Sequence, residues 1–317
     1  KKMTENSKIE LEKTEDGSYT IIKNGNRMHT NQGAIKESKK KYVEPMLKHT
    51  QRKNQKKIRI LDIGTGIGYN ALLTKKLAEK NNKKPEINTI DKKSYKKEIK
   101  KIENKTIIEE LETPEINKHN KDARKDRKNQ PKNKKYHAIY LDPFPPKQNP
   151  ELYSTHFLSK LKELLKKDGI LLTYNASYAC RAGLIFSGFN IYSQKKMGKQ
   201  MTIATKQKSD YGKIQEKNEL ILGLTDIGIP YIDPELNWSR RKLKKVRWNL
   251  RKNARHKKLL SSSNKCPHQL KDPTEKRKKD LNKFGITEKE LKELTEIKKN
   301  STDKILELRR KILNYKN

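Results

Sequence analysis

A glycine-rich turn joins a buried strand to a helix early in the chain, and few folds accommodate that combination. The apolar run Ile58–Ile63 leads directly into Gly64-Thr-Gly-Ile-Gly68. A helical pattern follows over Asn70–Glu79, where Leu73 and Leu77 lie four residues apart. A strand that passes through such a turn into a helix is typical of the first unit of a parallel sheet. The turn therefore predicts an α/β fold.

Short apolar runs and helical patterns continue to alternate after this turn. Five apolar residues between Phe157 and Leu165 share one helical face, and Gly169 is expected to end that helix. The alternation predicts a doubly wound, mostly parallel sheet over roughly residues 51–207. The further predicted strands are Glu86–Asp91, Tyr136–Asp142, Gly169–Tyr174 and Met201–Thr205, with Thr106–Leu111 as a candidate for the third strand.

Charge and composition narrow the class of protein. The 317 residues carry a formal charge of +39, and only 31% are hydrophobic. This composition is compatible with an unfolded polycation, but the clustering of the apolar residues argues against disorder over the first two-thirds of the chain. No apolar run approaches the roughly 18 residues of a membrane span, and two cysteines exclude a disulfide scaffold. Because Lys1–Glu15 shows no signal peptide, we expect a cytoplasmic protein with a polyanionic partner and no membrane partner.

Three regions are expected along the chain. Residues 1–50 should pack on the α/β domain, with a hairpin over Asp16–Thr30 and a helix over Gly33–Lys48. Residues 51–232 form the α/β domain. Residues 233–317 form a basic helical extension with a linker near residues 261–279, followed by a helix over Thr287–Leu313 that starts with a capping box at Thr287 and Glu290.

Acidic residues near the glycine turn indicate which nucleotide it binds. A carboxylate at Asp62 would repel a pyrophosphate and attract the cationic amino-acid end of S-adenosylmethionine. Asp91 ends the next strand, where a carboxylate can accept both ribose hydroxyls. Asp122 follows the region of the third strand, where it can accept a hydrogen bond from the adenine amino group. A turn that merely connects strand and helix is the alternative. The predicted cofactor-binding residues are Asp62, Gly64, Thr65, Gly66, Asp91 and Asp122.

The loop Asp142-Pro-Phe-Pro-Pro146 follows the fourth strand and is the predicted reaction site. Ligands of open α/β sheets bind beyond the carboxyl ends of the strands, so this loop would face the cofactor's methyl group. Methyl transfer to an amine needs a neutral nitrogen whose lone pair lies in line with the sulfonium. The Asp142 carboxylate can orient such an amine and take up the developing charge. A plain strand-to-loop cap is the alternative.

Several motifs occur together in a specific order. They are Asp16-Gly-Ser-Tyr-Thr20, Met28-His-Thr-x-x-Gly-Ala34 with Glu37, Asp142-x-Phe-Pro-x-x-x-Asn-Pro-Glu-Leu-Tyr153, Thr173-Tyr174, Arg181, Gly188-Phe189 and Gly198-Lys-x-Met201. With this order and spacing, roughly residues 16–206 resemble the methyltransferase domain of MnmC-type tRNA 5-methylaminomethyl-2-thiouridine biosynthesis proteins. The resemblance implies a class I (Rossmann-like) methyltransferase that uses S-adenosylmethionine to methylate the exocyclic amine of 5-aminomethyluridine at the tRNA wobble position.

The resemblance also implies roles for individual residues. Asp142 would hold the amine, Gly64 and Gly66 would line the methionine end of the cofactor, and Asp91 would bind the ribose. The remaining implied positions are His29 and Glu37 beside the cofactor pocket, Tyr153 as a stacking surface for the base, and Arg181 and Lys199 as substrate contacts. A structural role for His29 and a packing role for Tyr153 are the alternatives.

Two departures from the family pattern leave the exact substrate open. Ala182 and Gln200 stand where the family often has arginine. No second glycine fingerprint for the flavin oxidase domain of some members occurs, so we expect methyl transfer alone.

A strongly basic stretch, Arg240–Lys258, holds eleven lysines and arginines and no acid. Leu243, Val246, Leu250 and Ala254 recur at helical spacing, which predicts a helix with one apolar face. The other faces could contact RNA or could be a solvated surface. The predicted RNA-binding residues are Arg240, Arg241, Arg247, Trp248 and Arg251. Cys266 and His268 provide too few ligands for a zinc site, and no metal is expected.

Three other functions stay open at the level of sequence. The Asp-Pro-Phe-Pro loop is similar to that of methyltransferases that act on nucleobase amines, here at another RNA position, although it has an extra residue. An aminopropyltransferase of the spermidine synthase type shares the fold but favours Gly-Gly-Asp-Gly in the glycine turn. A non-catalytic RNA-binding protein that keeps the fold is the third. The sequence determines neither the oligomeric state nor whether the target uridine carries sulfur at its 2-position.

Overall fold

The strand before the glycine turn lies in the interior of the main sheet. A computed structural model describes residues 9–23, 25–99, 115–125, 135–262, 287, 289–290, 293, 297 and 299–314. The chain divides into two units, with residues 1–144, 164–174 and 195–201 in the first and residues 145–163, 175–194 and 202–317 in the second. The predicted domain limits near residues 50 and 232 stay predictions.

A small antiparallel sheet precedes the main sheet. The predicted hairpin is present, because Ile22 pairs with Arg27 in antiparallel register across Gly25, whose φ is +73°. A further strand, not predicted from the sequence, pairs with the first strand of the hairpin. The three strands are β1 (Ile9–Lys13), β2 (Tyr19–Lys23) and β3 (Asn26–Arg27).

The helix predicted over residues 33–48 contains a widened turn. Helix α1 (Ala34–Ser38) passes through a π-helical turn (Lys39–Val43) into α2 (Glu44–Gln51). Pro45 has no N–H to donate to the carbonyl of Lys41, so a wider turn just before it loses no hydrogen bond there. The side chains of Lys41, Tyr42 and Val43 are all buried by this turn.

Seven strands form the main sheet, and the first unit holds part of each. They are β4 (Lys57–Ile63), β5 (Lys84–Asp91), β6 (Ile116–Asn120), β7 (Tyr136–Leu141), β8 (Leu165–Thr173), β9 (Asn190–Lys196) and β10 (Lys199–Thr205). Their order is β6-β5-β4-β7-β8-β10-β9, and the first five are parallel. In the centre, Ile60 pairs with Ile87 on one side and Ala138 on the other. Residues 58–63 are all buried, as expected for a strand covered on both faces.

The structure corrects one expectation about the sheet, the role of Gly169, and does not describe the candidate third strand. Helix α5 (Thr155–Leu164), numbered after α3 (Tyr69–Lys80) and α4 (Lys96–Ile99), ends before β8, so Gly169 lies inside a strand and does not cap a helix. A Cβ at Gly169 would lie 2.8 Å from Leu165 Cγ and 3.1 Å from the His137 carbonyl oxygen, and this close packing accounts for the glycine. The candidate strand 106–111 lies outside the described residues, and the strand beside β5 is β6.

Among the described residues, four further α-helices of the second unit have both ends described. They are α6 (Tyr178–Phe186), α7 (Glu216–Leu224), α8 (Arg240–His256) and α9 (Ser301–Asn314). The predicted capping box is present, since the Glu290 N–H donates to Thr287 Oγ1 at 3.2 Å. The single predicted helix over 287–313 is wrong, however, because Asn300 is not helical and caps α9 by accepting from the Asp303 N–H at 3.0 Å. The predicted linker lies outside the described residues beyond Ser262.

The last helix covers an apolar face of the second unit. Leu308 and Ile312 of α9 pack against Leu220 and Leu224 of α7, and all four are fully buried. A Cβ at Gly223 would lie 2.6 Å from Leu308 Cβ, so glycine lets the two helices approach closely. Helix α9 therefore completes a hydrophobic core. Across the described residues, no helix has the length and apolar character needed to cross a membrane.

Candidate active site

The glycine turn passes directly against the loop after β7. Gly64, Gly66 and Gly68 all have positive φ, at +84°, +58° and +109°. A Cβ on Gly64 would lie 2.6 Å from the backbone nitrogen of Pro143, so a side chain there would clash with backbone. The turn thus places the backbone of residues 64–66 close to Asp142, the predicted reacting carboxylate.

Asp62 lies at the end of β4 beneath this turn and is fully buried. Among the described residues, no hydrogen bond of ordinary geometry reaches either of its carboxylate oxygens. Burial raises the pKa of Asp62 well above its usual range, and the nearby Asp142 charge adds to this rise. A buried carboxylate with two open acceptors fits a cationic ammonium group as its partner.

Asp91 ends β5 and closes on the same turn. Its Oδ2 accepts from the Gly66 N–H at 3.0 Å, and its Oδ1 accepts from the Lys93 N–H at 3.0 Å. Burial raises the pKa of Asp91, and these backbone donors partly oppose that rise. A cavity of about 50 Å³ opens beside the carboxylate. Its lining includes Thr65, Gly66, Asp91, Tyr95, Ile116 and Asn120.

Asp122 follows β6, but its carboxylate is already engaged. Arg124 donates to it from the backbone N–H at 3.0 Å and from the guanidinium at 3.1 and 2.8 Å. Burial tends to raise the pKa of Asp122, and Arg124 outweighs that effect and lowers it. Asp122 is not among the residues around the cavity beside Asp91. Its predicted contact with adenine stays a prediction.

Asp142 follows β7 and is half-buried, with each carboxylate oxygen held by one neutral donor. The Tyr42 hydroxyl donates to Oδ1 at 2.6 Å, and the Asn70 side-chain amide donates to Oδ2 at 2.8 Å. Burial raises the pKa of Asp142 to about 6, and the two hydrogen bonds limit that rise. The carboxylate is therefore fixed in position and ionised at neutral pH.

Tyr42 links this carboxylate to the neighbouring strand. Its hydroxyl accepts from the Tyr174 N–H at 3.1 Å, and the Tyr174 hydroxyl donates to the Pro143 carbonyl at 2.9 Å. Burial raises the pKa of Tyr42 well above its usual range, so it stays a proton donor. The sequence did not predict Tyr42 or Asn70 as site residues. One sequence feature could have indicated Asn70: it is a polar residue at the start of the helix that follows the glycine turn.

His29 and Glu37 line a different and larger cleft, of about 720 Å³. Glu37 accepts from the Thr30 N–H at 2.8 Å and from the buried Lys41 ammonium at 2.6 Å. Burial opposes ionisation of Glu37, but Lys41 outweighs it and lowers the pKa. Burial also lowers the pKa of His29 to about 4, so its ring is neutral at neutral pH. The structure does not bring these two residues to the cavity beside Asp91, and their cofactor contacts stay predictions.

The larger cleft is rich in cations. Its lining holds four basic side chains and two acidic ones, together with neutral polar groups and aromatic and thioether surface. The basic residues are Arg27, Lys41, Lys196 and Lys199, and the acidic ones are Glu15 and Glu37. Lys199 therefore lies at the same cleft as His29, as a substrate contact would.

The structure places two predicted substrate contacts, Tyr153 and Arg181, in the interior of the second unit, which favours the packing alternative for Tyr153; both substrate contacts stay predictions. Tyr153 is fully buried. Arg181 is 2% exposed, and its guanidinium donates to Thr202 Oγ1 at 3.2 Å and Ser193 Oγ at 3.1 Å. Both side chains hold the second unit together.

The arginines of α8 divide between its two faces. Arg247 is buried and donates to the carbonyls of Ile229 at 2.7 Å and Ile227 at 2.8 Å, so the structure does not favour its predicted RNA contact. Arg251 pairs with the buried Asp226 at 2.9 Å, and Arg240, which is largely exposed, pairs with Glu151 at 2.9 Å. Arg241 and Trp248 are exposed.

Comparisons with known proteins agree on one family. A family described as S-adenosyl-L-methionine-dependent methyltransferase matches residues 85–208. The crystal structure of MnmC2 from Aquifex aeolicus is 30% identical, with a TM-score of 0.69, and the match covers 79% of this chain and 87% of that one. An uncharacterised protein of Methanocaldococcus jannaschii is 30% identical over 310 residues, which covers 88% of this chain and 84% of the relative.

A fused relative matches over a shorter stretch. The tRNA 5-methylaminomethyl-2-thiouridine biosynthesis bifunctional protein MnmC of Leptospira interrogans is 34% identical over 76 residues. That match covers 24% of this chain and 12% of the bifunctional protein. The matched stretch is therefore a small part of both proteins.

Proposed function

This chain belongs to the MnmC2-like family of S-adenosyl-L-methionine-dependent methyltransferases, and we propose that it methylates the exocyclic amine of 5-aminomethyl(-2-thio)uridine at the tRNA wobble position. The predicted family, the α/β fold and S-adenosylmethionine as cofactor are confirmed. The printed name of the Leptospira relative supports this tRNA nucleoside as the substrate.

The geometry of Asp142 is the observation that carries the proposal. The hydroxyl of Tyr42 and the amide of Asn70 each occupy one carboxylate oxygen and set its orientation. Because each oxygen can accept more than one hydrogen bond, acceptor capacity remains for a substrate N–H. A fixed, partly exposed carboxylate beside the glycine turn can hold a neutral amine with its lone pair directed at a methyl donor.

The residues around the turn suit the cofactor. When bound, S-adenosyl-L-methionine supplies an electrophilic methyl group on a sulfonium. Asp62 would accept from the cofactor's ammonium group, and the backbone of Gly64 and Gly66 leaves room for close approach. Asp91 would accept from the ribose hydroxyls beside the small cavity.

The ionisation of Asp142 suits an amine substrate. With a pKa of about 6, the carboxylate is charged at neutral pH and accepts a hydrogen bond from the amine. In methyl transfer, the bond between the methyl carbon and sulfur breaks as the N–C bond forms, and the sulfur leaves as a neutral thioether. Positive charge thus passes to nitrogen, where the adjacent carboxylate would stabilise it. The proton that the nitrogen then releases can pass through Asp142 to solvent.

The basic cleft supports an RNA substrate. Its volume of about 720 Å³ is large enough for a nucleotide, and Arg27, Lys196 and Lys199 provide cations for phosphate oxygens. Tyr174 lies on the same lining and its hydroxyl contacts the loop of Asp142. The cleft and the reacting carboxylate therefore share a residue.

Replacement of Asp142 tests the proposal directly. We expect Asp142→Ala to lower methyl transfer by about a hundredfold or more, because orientation and charge stabilisation are both lost. Cofactor binding, measured by isothermal titration, should change little. Nucleoside mass spectrometry of tRNA incubated with labelled S-adenosylmethionine would report the product and would also reveal a methylated base at another position.

Asp168→Ala is the matched control. Asp168 is half-buried, and its carboxylate accepts from the Gln55 amide at 3.3 Å. This variant should keep wild-type turnover. Unchanged turnover of Asp142→Ala would contradict the role of Asp142, and a product other than the methylated aminomethyl group would contradict the proposed substrate.

A further inference from the structure

Helix α8 presents one face to the second unit and leaves another open to solvent. Leu243 is fully buried, and the guanidinium of Arg247 is bonded to two carbonyls. Arg251 and Arg255 both pair with Asp226, whose side chain is 1% exposed. This side of the helix is thus anchored by apolar packing and by three arginines.

A neighbouring side of the helix, open to solvent, carries cations that take no part in this anchoring. Arg241, Lys244, Lys245, Trp248 and Lys252 are all exposed, and we call them the basic stripe. Their spacing of three and four residues places them along one face of the helix. The 17 residues of α8 contain no acidic side chain. The stripe is therefore a continuous positive surface with one aromatic ring in its middle.

Trp248 marks this surface as more than a solvated face. Its side chain is 55% exposed, the highest exposure among the large hydrophobic residues described. The ammonium of Lys252 lies 5.3 Å from the ring centroid, a cation–π distance. An exposed tryptophan flanked by cations is the combination that stacks an unpaired base while neighbouring cations bind phosphates.

We infer that the basic stripe is a docking surface for RNA, with Trp248 stacking on an unpaired base and the four cations contacting the phosphate backbone. An anionic membrane is the other partner that a basic amphipathic helix suggests. That use requires a free apolar face. In α8, Leu243 is packed inside the protein, and the two exposed large hydrophobic side chains, Trp248 and Leu250, lie two residues apart and so do not share a face. RNA is therefore the partner that fits the stripe.

The inference rests on the proposed function in one respect, since it takes the docked RNA to be the tRNA substrate. The structure also changes which residues of α8 are assigned to RNA contact. Arg247, Arg251 and Arg255 serve to anchor the helix, whereas Lys244, Lys245 and Lys252, which were not singled out before, belong to the docking surface.

A salt titration of tRNA binding tests the cations of the stripe. The variant Arg241→Ala/Lys244→Ala/Lys245→Ala is compared with Lys53→Ala/Lys56→Ala/Lys80→Ala, which removes the same charge from exposed positions of the first unit. Fluorescence anisotropy with labelled tRNA gives Kd at a series of KCl concentrations. We expect the stripe variant to bind about tenfold or more weakly and its log–log salt slope to fall by about 2 to 3. The control should stay close to wild type.

Trp248→Ala tests the stacking contact. We expect binding to a single-stranded RNA and to tRNA to weaken by about tenfold, with little change in the salt slope, because no charge is removed. Trp248→Phe should recover part of the affinity. Phe186→Ala, which removes an aromatic side chain that is 42% exposed on α6, is the matched control and should bind as wild type does.

Each outcome separates the docking surface from the reaction. Equal tRNA affinity of the stripe variant and wild type, an equal loss in the control, or tighter binding of the stripe to anionic vesicles than to tRNA would overturn the inference. Circular dichroism and S-adenosylmethionine titration should match wild type for every variant. If tRNA binding depends on the stripe but no substrate is methylated, the docking surface stands and the proposed function fails. If tRNA is methylated and the stripe variant binds tRNA as wild type does, the proposed function stands and the docking surface fails.

Discussion

Asp142, the proposed reacting group, shows how neighbouring side chains adjust the pKa of a carboxyl. Burial alone raises the pKa of this carboxyl, and hydrogen bonds from Tyr42 and Asn70 limit the rise, to a value of about 6. Both donors are neutral, so they fix the position of the carboxylate without neutralising its charge. The pKa of Asp142 thus lies just below neutral pH, so the carboxylate is charged at neutral pH and can still accept a proton during the reaction.

Removal of the Tyr42 hydroxyl should change the pH dependence of the reaction. In wild type, kcat/KM should rise with pH through about 6 as Asp142 ionises. Tyr42→Phe deletes a hydrogen bond that favours the charged form, so the pKa of Asp142 rises and this acid limb moves to higher pH. We expect a shift of about one pH unit, measured as the acid limb of kcat/KM with S-adenosylmethionine saturating.

The control for Tyr42→Phe is Tyr192→Phe. Tyr192 is also buried, and its hydroxyl accepts from the Ser209 N–H at 2.7 Å, but it belongs to the second unit. Its removal should leave the acid limb in place even if stability falls. An unshifted limb in Tyr42→Phe would mean that this hydroxyl does not set the ionisation of Asp142.

Residues at strand ends were predictable, and their donors were not. Asp62, Asp91 and Asp142 follow from strand pattern and residue type alone, because the carboxyl ends of parallel strands converge. Tyr42 lies 100 positions before Asp142 in the chain, in a π-helical turn that no sequence pattern predicted. Contacts of this range depend on how elements pack, which spacing along one element does not encode.

At the scale of elements, helix α8 illustrates what a charge pattern leaves open. The basic run and its apolar spacing correctly predict a helix, from Arg240 to His256. The pattern does not tell which arginines face the protein, because that depends on Asp226 and two backbone carbonyls from another segment. Arg247 and Trp248 are adjacent in sequence, yet one is buried and the other exposed.

Helix α9 offers a test of packing at the same scale. Leu308 is fully buried against α7, so Leu308→Ala should lower the free energy of unfolding by about 2 to 5 kcal/mol through lost burial and a cavity. Leu306→Ala on the same helix removes a side chain that is 38% exposed and should cost less than about 1 kcal/mol. Urea unfolding followed by circular dichroism measures both. Similar losses in the two variants would show that α9 does not complete this core.

Across the whole molecule, basic residues outnumber acidic ones, whereas the residues proposed to bind the cofactor and the amine are acidic. The formal charge is +39, while the groups assigned to cofactor and amine are carboxylates. A large net charge destabilises the folded chain by self-repulsion, and its positive sign attracts a polyanion from a distance. The proposed chemistry and the proposed docking of substrate thus involve groups of opposite sign.

This charge balance predicts a response of stability to salt. Added KCl screens repulsion between exposed cations, because the Debye length falls from about 10 Å at 0.1 M to about 3 Å at 1 M. We therefore expect Tm to rise by several degrees between low salt and about 0.5 M KCl, measured by differential scanning fluorimetry. Glycerol at matched osmolality serves as the uncharged control. A constant or falling Tm in KCl would show that opposite charges already offset the repulsion.

The π-helical turn at Lys39–Val43 has a consequence for how this chain can vary. One extra residue in a helical turn rotates everything after it by about 100° relative to a regular helix. Deleting any residue of this turn would restore regular geometry, and Tyr42 would then point away from Asp142 or Glu37 would leave Lys41. Single substitutions in this turn can be tolerated, whereas an insertion or a deletion cannot. Relatives that catalyse the same reaction should therefore have the same number of residues in this turn.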